Sequence, residues 1–387
     1  MTERRGKTDK QAVHCGARRR CKEKPLNQGE IMTLRRLVLA VGVLAVLAAA
    51  AWWTKQAGWG TAQAVEEPTA SVGVKMAAAA DKLVGMLNDD QKGKALFAFD
   101  DPERTDWHFV PWQKDKKPLR KGLRLDEMTD AEKDAARDLL KTGASDDGYN
   151  KAITIMSLEN ILHDLEKNGA NVRNPEWYFV TIFGKPAKTG KWGWRVEGHH
   201  LSLNFTLEDA KVISSTPAFF GANPAQVMDG DQKGLRTLPE AEDYAKDLFT
   251  SLDDDQRKTA SQPKQFAEIE EAKPKTNVGD PVGLPASKMN EKQRNTVLKL
   301  VQAYANRMPA EVASAQMARV REAGVDKIYF AFCRQDDKPG KPYTYHVQGP
   351  TFVIEFLDVQ ADSANNPANH IHSCWRNLAG DFGVEAK

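Results

Sequence analysis

The chain has 387 residues, 41% of them hydrophobic and 28% charged, with four cysteines and a formal net charge of +2. That apolar content is enough for a sizeable core, which excludes a disordered, collagen-like or disulfide-framework protein. Residues 1–64 hold 12 Lys and Arg against 4 Asp and Glu, so residues 65–387 carry 43 basic and 49 acidic side chains, a net of −6. Such a body lacks the cationic surplus that phosphate neutralisation requires, and nucleic acid is not an expected partner.

In chain order, Arg35-Arg36 precede an uncharged run of 17 residues from Leu37 to Trp53, followed by the small-residue sequence Ala62-Gln63-Ala64. Basic start, apolar stretch and small-residue site are the parts of an export signal, expected over residues 32–64 with cleavage after Ala64. The run is also long enough to stay in the bilayer as a single anchor, and the arginine pair permits the twin-arginine route. Either way the body is expected to be periplasmic or secreted, with a membrane partner only if the segment is uncleaved. Met32 makes a better start for such a signal, so residues 1–31 are expected to be an upstream extension from a mis-assigned start. Cys15 and Cys21 fall there, leaving Cys333 and Cys374 as a possible disulfide or as two buried thiols.

The body repeats itself. Leu83 to Gln91 recurs as Leu248 to Gln256, and Gly122-Leu123 with Met128-Thr129 recurs as Gly283-Leu284 with Met289-Asn290. Thr129 with Glu132, and Asn290 with Gln293, are helix-start signals leading into helical patterns that end near Leu140 and Tyr304. Trp177 to Val180 matches Ile328 to Ala331, Trp194 to Gly198 matches Tyr345 to Gly349, and Leu201, Leu203 and Phe205 match Phe352, Ile354 and Phe356, all 151 positions apart. This predicts an α+β fold with two tandem related halves, residues 75–225 and 240–387, packed as one pseudo-two-fold body. Asp229 to Arg236 is the expected connection, and Lys273 to Ser287 a long surface loop.

The segment His370 to Arg376, added at the end of the second half without a clear counterpart in the first, predicts a short strand between loop signals at Asn365-Asn366-Pro367 and Gly380 to Gly383. On a strand, His370 and His372 point the same way and form half of a zinc or other transition-metal site. A second histidine pair, His199-His200, lies in Trp192 to Asn204. Carrying strand alternation through this segment puts Arg195, Glu197 and His199 with Leu201 and Leu203 on the core face, and Trp194, His200, Ser202 and Asn204 on the other. His200 is therefore the expected third ligand, with His199 as a further candidate. Glu355, at the position matching Asn204, is a candidate base or fourth ligand, and Glu197 a candidate base or partner of a ligating imidazole. Trp192, Trp194, His108 and Arg376 are candidates for contacting a small-molecule substrate. The segment His200-Leu201-Ser202 resembles half of a two-histidine phosphoesterase site, but Thr351-Phe352-Val353 supplies no second histidine. No phosphate loop, dinucleotide fingerprint, serine elbow or zinc-protease helix is visible, so no nucleotide cofactor is expected.

Three segments together, Trp192 to Thr206, Gln348 to Phe352, and Asn369 to Arg376, resemble the family known as domain of unknown function 3500, over nearly the whole body from about residue 75. The resemblance implies a mostly bacterial, often exported protein with no assigned activity. In that family the position of Tyr343 is often histidine and that of Cys374 often valine. The expected function is an exported metal-dependent hydrolase using the histidine cluster. The alternatives are a binding protein that captures a metal or small ligand without turnover, and a structural envelope protein.

Overall fold

The computed structural model describes residues 71–384, except 168 and 335–339. The export segment and the upstream extension lie outside the described residues. Among the described residues, no helix is long and apolar enough to cross a membrane.

Helices α1 (Val72–Met86) and α2 (Asp89–Ala95) come first, then the short strand β1 (Leu96–Phe97). A small hairpin of β2 (Gln113–Lys114) and β3 (Lys117–Pro118) and the two-residue β4 (Leu123–Arg124) precede helices α3 (Asp130–Thr142) and α4 (Asp146–Leu165). The strands β5 (Phe179–Phe183), β6 (Lys191–Gly198), β7 (Leu201–Glu208), β8 (Lys211–Ser214) and β9 (Ala218–Phe220) follow. After the loop at 229–236 come α5 (Pro239–Thr250), α6 (Asp254–Ala260), β10 (Leu284–Pro285), α7 (Glu291–Ala305) and α8 (Ala310–Ala323). The chain closes with β11 (Tyr329–Arg334), β12 (Tyr343–Gln348), β13 (Phe352–Asp358) and β14 (Ile371–Asn377).

Both expected capping boxes are present, Thr129 with Glu132 and Asn290 with Gln293, each satisfying free N–H groups at a helix start. Asn88 with Gln91 and Asp253 with Gln256 make two more.

The fold is α+β around a 12-stranded mixed sheet, ordered β1-β5-β6-β7-β9-β14-β13-β12-β11-β10, with β4 on β5 and β8 on β7. β14, the predicted His-Ile-His strand, therefore sits mid-sheet between β13 and β9. One face carries Trp192, Trp194, Val196, Leu203, Phe205, Ile354 and Phe356 and joins the buried core with the helices. Trp194 stacks on Phe205 at 4.5 Å.

The opposite face is polar yet also buried, because loops cover it. Arg195, Glu197, Ser202, Asn204, His346, Glu355 and Arg376 are all under 9% exposed there. A buried charge must be paired. Arg195 accordingly donates to Glu103 at 2.6 Å and to the carbonyls of Glu103 and Asp106 at 2.9 and 3.2 Å, fixing the first covering loop. Arg376 holds Asp381 at 2.5 Å and the carbonyls of Glu270 and Lys273 at 3.0 and 2.8 Å, fixing the second.

These two faces reverse part of the sequence expectation. Gly198 pairs with Leu201 and leaves only His199 and His200 in the turn. Directly paired residues share a face, so Val196 goes with Leu203 and Glu197 with Ser202. Alternation counted straight through a two-residue turn comes out inverted, and that placed Arg195 and Glu197 on the wrong side.

Cys333 and Cys374 are both free and buried. They lie on β11 and β14, three strand spacings apart, or about 14 Å. A disulfide spans no more than about 7 Å between Cα atoms, so of the two expected states the buried thiols are the one found.

The start of α4 packs onto the chain just after α7: Ser145 N–H donates to the Arg307 carbonyl at 3.0 Å, and a Cβ on Gly148 would lie 1.9 Å from that oxygen. Gly148→Ala is expected to destabilise the fold by about 1–3 kcal/mol through forced backbone displacement. Gly85→Ala, where nothing lies within 4 Å, is expected to stabilise it by about 0.5–1 kcal/mol. Urea unfolding midpoints of the two variants should move in opposite directions.

Candidate metal centre

His200 is brought into place by its turn. Its φ is 63°, in the left-handed region that costs a non-glycine residue about 1–2 kcal/mol. The surrounding backbone holds it there, with His200 N–H donating to the Phe109 carbonyl and Gly221 N–H donating to the His200 carbonyl, both at 2.8 Å. Strain held by such double anchoring is characteristic of functional positions. His372 lies on β14 opposite Leu357 of β13, and His370 stands just before the strand with its N–H on Asp358 Oδ1 at 3.0 Å.

The three rings meet through their Nε2 atoms. His370 and His200 are 2.8 Å apart and His200 and His372 are 3.2 Å apart, and all three candidate ligand atoms lie within 4.8 Å of one another. His372 turns its Nδ1 to Glu268 Oε1 at 2.9 Å, and the His370 ring hydrogen-bonds the Ala361 backbone. The Glu268 carboxylate assigns the N–H to Nδ1 in His372, so its Nε2 lone pair points inward. An ion at about 2.0–2.1 Å from each nitrogen in tetrahedral geometry sets ligand nitrogens about 3.3 Å apart. The 3.2 Å pair already meets that spacing, the 2.8 Å pair reaches it by opening about half an ångström, and the His370 and His372 ligand atoms lie within 4.8 Å of each other.

Burial, with the neighbouring imidazoles adding to it, holds His200 well below the ordinary imidazole range. Burial takes His370 down to about 3, with His372 adding to the effect. Both rings are therefore neutral at physiological pH, the form that binds metal. Phe109 presents its edge to His372 at 5.0 Å and stacks on Phe219 at 3.9 Å, so the cluster has an apolar wall. The buried cluster of His200, His370 and His372 is compatible with a metal ion.

The other expected residues fall in different places. His199 is not among the three. It stacks on His200 at 3.8 Å and gives its Nδ1 to the Glu159 carboxylate, beside Arg173 at 3.1 Å. Glu197 accepts from the His108 backbone N–H at 3.0 Å and faces Arg195 and Arg120 at 3.4 and 3.7 Å, so its partners are cations and backbone and not a ligating imidazole. Trp192 and Trp194 are 0% and 1% exposed on the helix-facing side, where they fill the core and offer no platform to a ligand. The His108 ring lies between Glu271 and Asp106 at 3.3 and 3.2 Å and packs on Trp112 at 3.8 Å. Arg376 is the clamp described above and is 0% exposed.

Glu355 shares the polar face with His372, directly across from His346 on one side and Cys374 on the other. Its Oε2 and the Nε2 of His346 are buried without a hydrogen-bond partner. Burial pushes the Glu355 carboxyl up to about 7 against the opposing pull of Arg376.

Glu268 is the residue sequence reasoning missed. It stands in the covering loop between α6 and β10, a stretch without periodicity whose one visible signal is the acidic run Glu268 to Glu271. Nothing local says which of those carboxylates reaches a histidine a hundred residues away.

Residues 69–384 match the family model described as Protein of unknown function (DUF3500). The chain belongs to this family. No curated protein and no solved structure matches it. The DUF3500 match spans the sheet, its covering loops and all three clustered histidines.

Because the folded Glu355 titrates near 7 against an ordinary value of 4.5, its contribution to stability is complete below about pH 4.5 and is lost as pH rises to about 7. Glu355→Gln is expected to flatten that part of the stability profile and to exceed the parent above pH 7 by up to about 3 kcal/mol. Denaturant unfolding across the pH range checks this, and parallel profiles for the two proteins would contradict it.

Proposed function

We propose that this DUF3500 protein is an exported metal-dependent hydrolase whose ion is held by His200, His370 and His372. The observation that carries the reading is the convergence of the His200, His370 and His372 Nε2 atoms, with the His372 lone pair turned inward by Glu268. Three imidazoles are the ligand count of catalytic zinc sites, which keep a position open and lower the pKa of a bound water. Glu268 orients His372, and outer partners of this kind typically contribute 10–100-fold to metal affinity. It is also 44% exposed in its side chain, so the same carboxylate is within reach of solvent and of a proton to be moved. The export signal at residues 32–64 supports location outside the cytoplasm.

We also infer that the body arose from two copies of one unit. Gln91 Nε2 donates to the Glu127 carbonyl and to Glu132 Oε2, both at 3.0 Å, and Gln256 Nε2 donates to the Lys288 carbonyl and to Gln293 Oε1 at 2.9 and 3.0 Å. The pair Arg195 and Asn204 on β6 and β7 corresponds to His346 and Glu355 on β12 and β13. In this correspondence the position of His200 is taken by Thr351, so the histidine cluster belongs to one end of the body only.

The test is elemental analysis of residues 65–387 and of a variant with His370→Ala and His372→Ala, each purified without chelator. Near-stoichiometric zinc or another transition metal in the parent and none in the variant is expected. Glu268→Gln is expected to retain the fold and weaken metal binding by about 10–100-fold. No metal in the parent after dialysis against zinc, copper and iron would discard the reading. A retained metal with no turnover on ester, amide and phosphoester panels would leave a binding protein in place of a hydrolase.

A further inference from the structure

Where β8 ends, Ser214, Ser215 and Thr216 run along the side of α8 and enclose a pocket of about 280 Å³. All three are under 9% exposed, as is Gln316 of α8 at 4%. Gln316 Nε2 donates to Ser215 Oγ at 3.1 Å, and Gln316 Oε1 is buried with no hydrogen-bond partner. Native structures seldom leave such an acceptor unpaired, because desolvating it without a donor is costly. The opposite wall is aromatic: Phe352 and Trp375, from the helix-facing side of β13 and β14, stack at 4.9 Å. Among the described residues no carboxylate lines the pocket, and Arg319 is its one charged residue.

These features together select a class of ligand. The absence of lining carboxylates, cysteines and histidines removes metal ions and amines. Ser214 and Thr216 hydroxyls already bond each other and Ser215 Oγ accepts from Gln316, so the free amide oxygen is the group that calls for a ligand donor, in a rim that stays polar, while the aromatic pair calls for an apolar C–H face. The volume is just below the range of about 300–1,000 Å³ typical of larger ligand pockets. We propose that this pocket binds a monosaccharide-sized polyhydroxylated ring, with Gln316 Oε1 accepting from a ligand hydroxyl and the Phe352–Trp375 pair lying against its C–H face. Arg319, exposed on α8, adds a contact for a sugar that carries a carboxylate. Trp375 and His372 point to opposite faces of β14, so this pocket and the histidine cluster are separate and the proposal does not depend on the metal reading.

The purified chain, titrated with glucose, N-acetylglucosamine and glucuronate, is followed by saturation-transfer NMR and tryptophan fluorescence. Saturable binding of at least one sugar is expected. Gln316→Leu is expected to weaken it about tenfold in a protein that still unfolds cooperatively, which separates loss of the acceptor from loss of the fold. Arg319→Ala, a surface change, is expected to weaken glucuronate binding more than glucose binding, and equal effects on the two would remove Arg319 from the proposed site. No saturable signal from any of the three sugars, or binding that Gln316→Leu leaves unaltered, overturns the proposal.

Discussion

Burial of both faces of the central sheet is the constraint on which this structure depends. Helices cover one side with an ordinary apolar core, while loops cover the other, where the strands present arginines, glutamates, histidines and amides. Every charge on that side has to find a partner or lose its ionisation. Arg195 and Arg376 do so by gripping loop carbonyls and a carboxylate each, and in doing so they fix the course of the two covering loops. The electrostatics of the sheet thus determine the shape of the loops.

The histidine cluster follows from the same arrangement. The second covering loop, tied down at Glu270 and Lys273 by Arg376 and at Glu271 by the Phe109 and Val110 N–H groups, carries Glu268 to His372. The first covering loop supplies the Phe109 carbonyl that anchors His200 and the ring that walls His372. A loop fixed for one reason, pairing of buried charge, therefore also completes the outer shell of the three imidazoles. His346 and Glu355 are the part of this face where pairing is incomplete, and the carboxyl responds by holding its proton.

Local signals made much of this legible. Capping boxes at Thr129 and Asn290 are chemistry between residues three apart, so they were readable without a fold. The convergence of His200 with His370 and His372 was also expected, because two strand motifs rich in one rare residue type leave few arrangements. The roles assigned to Trp192, Trp194, Glu197 and Arg376 differ from those observed for a shared reason. Whether a large or charged side chain meets a ligand, a loop or the core depends on what covers its strand, and coverage is not a local property.

The sequence by itself determined the family, the α+β class, the helix starts, the His-Ile-His strand and the histidine candidates, since each is carried by short-range pattern or by composition; which three of those imidazoles meet was decided by the fold. Tertiary structure alone decided the rest. It inverted the faces of β6 relative to β7, because a two-residue turn reverses the count of alternation. It separated Cys333 from Cys374 by three strands, and it chose Glu268 from a featureless acidic run. Strand order and loop path are set by long-range pairing of buried groups, and no window of sequence contains both partners of such a pair.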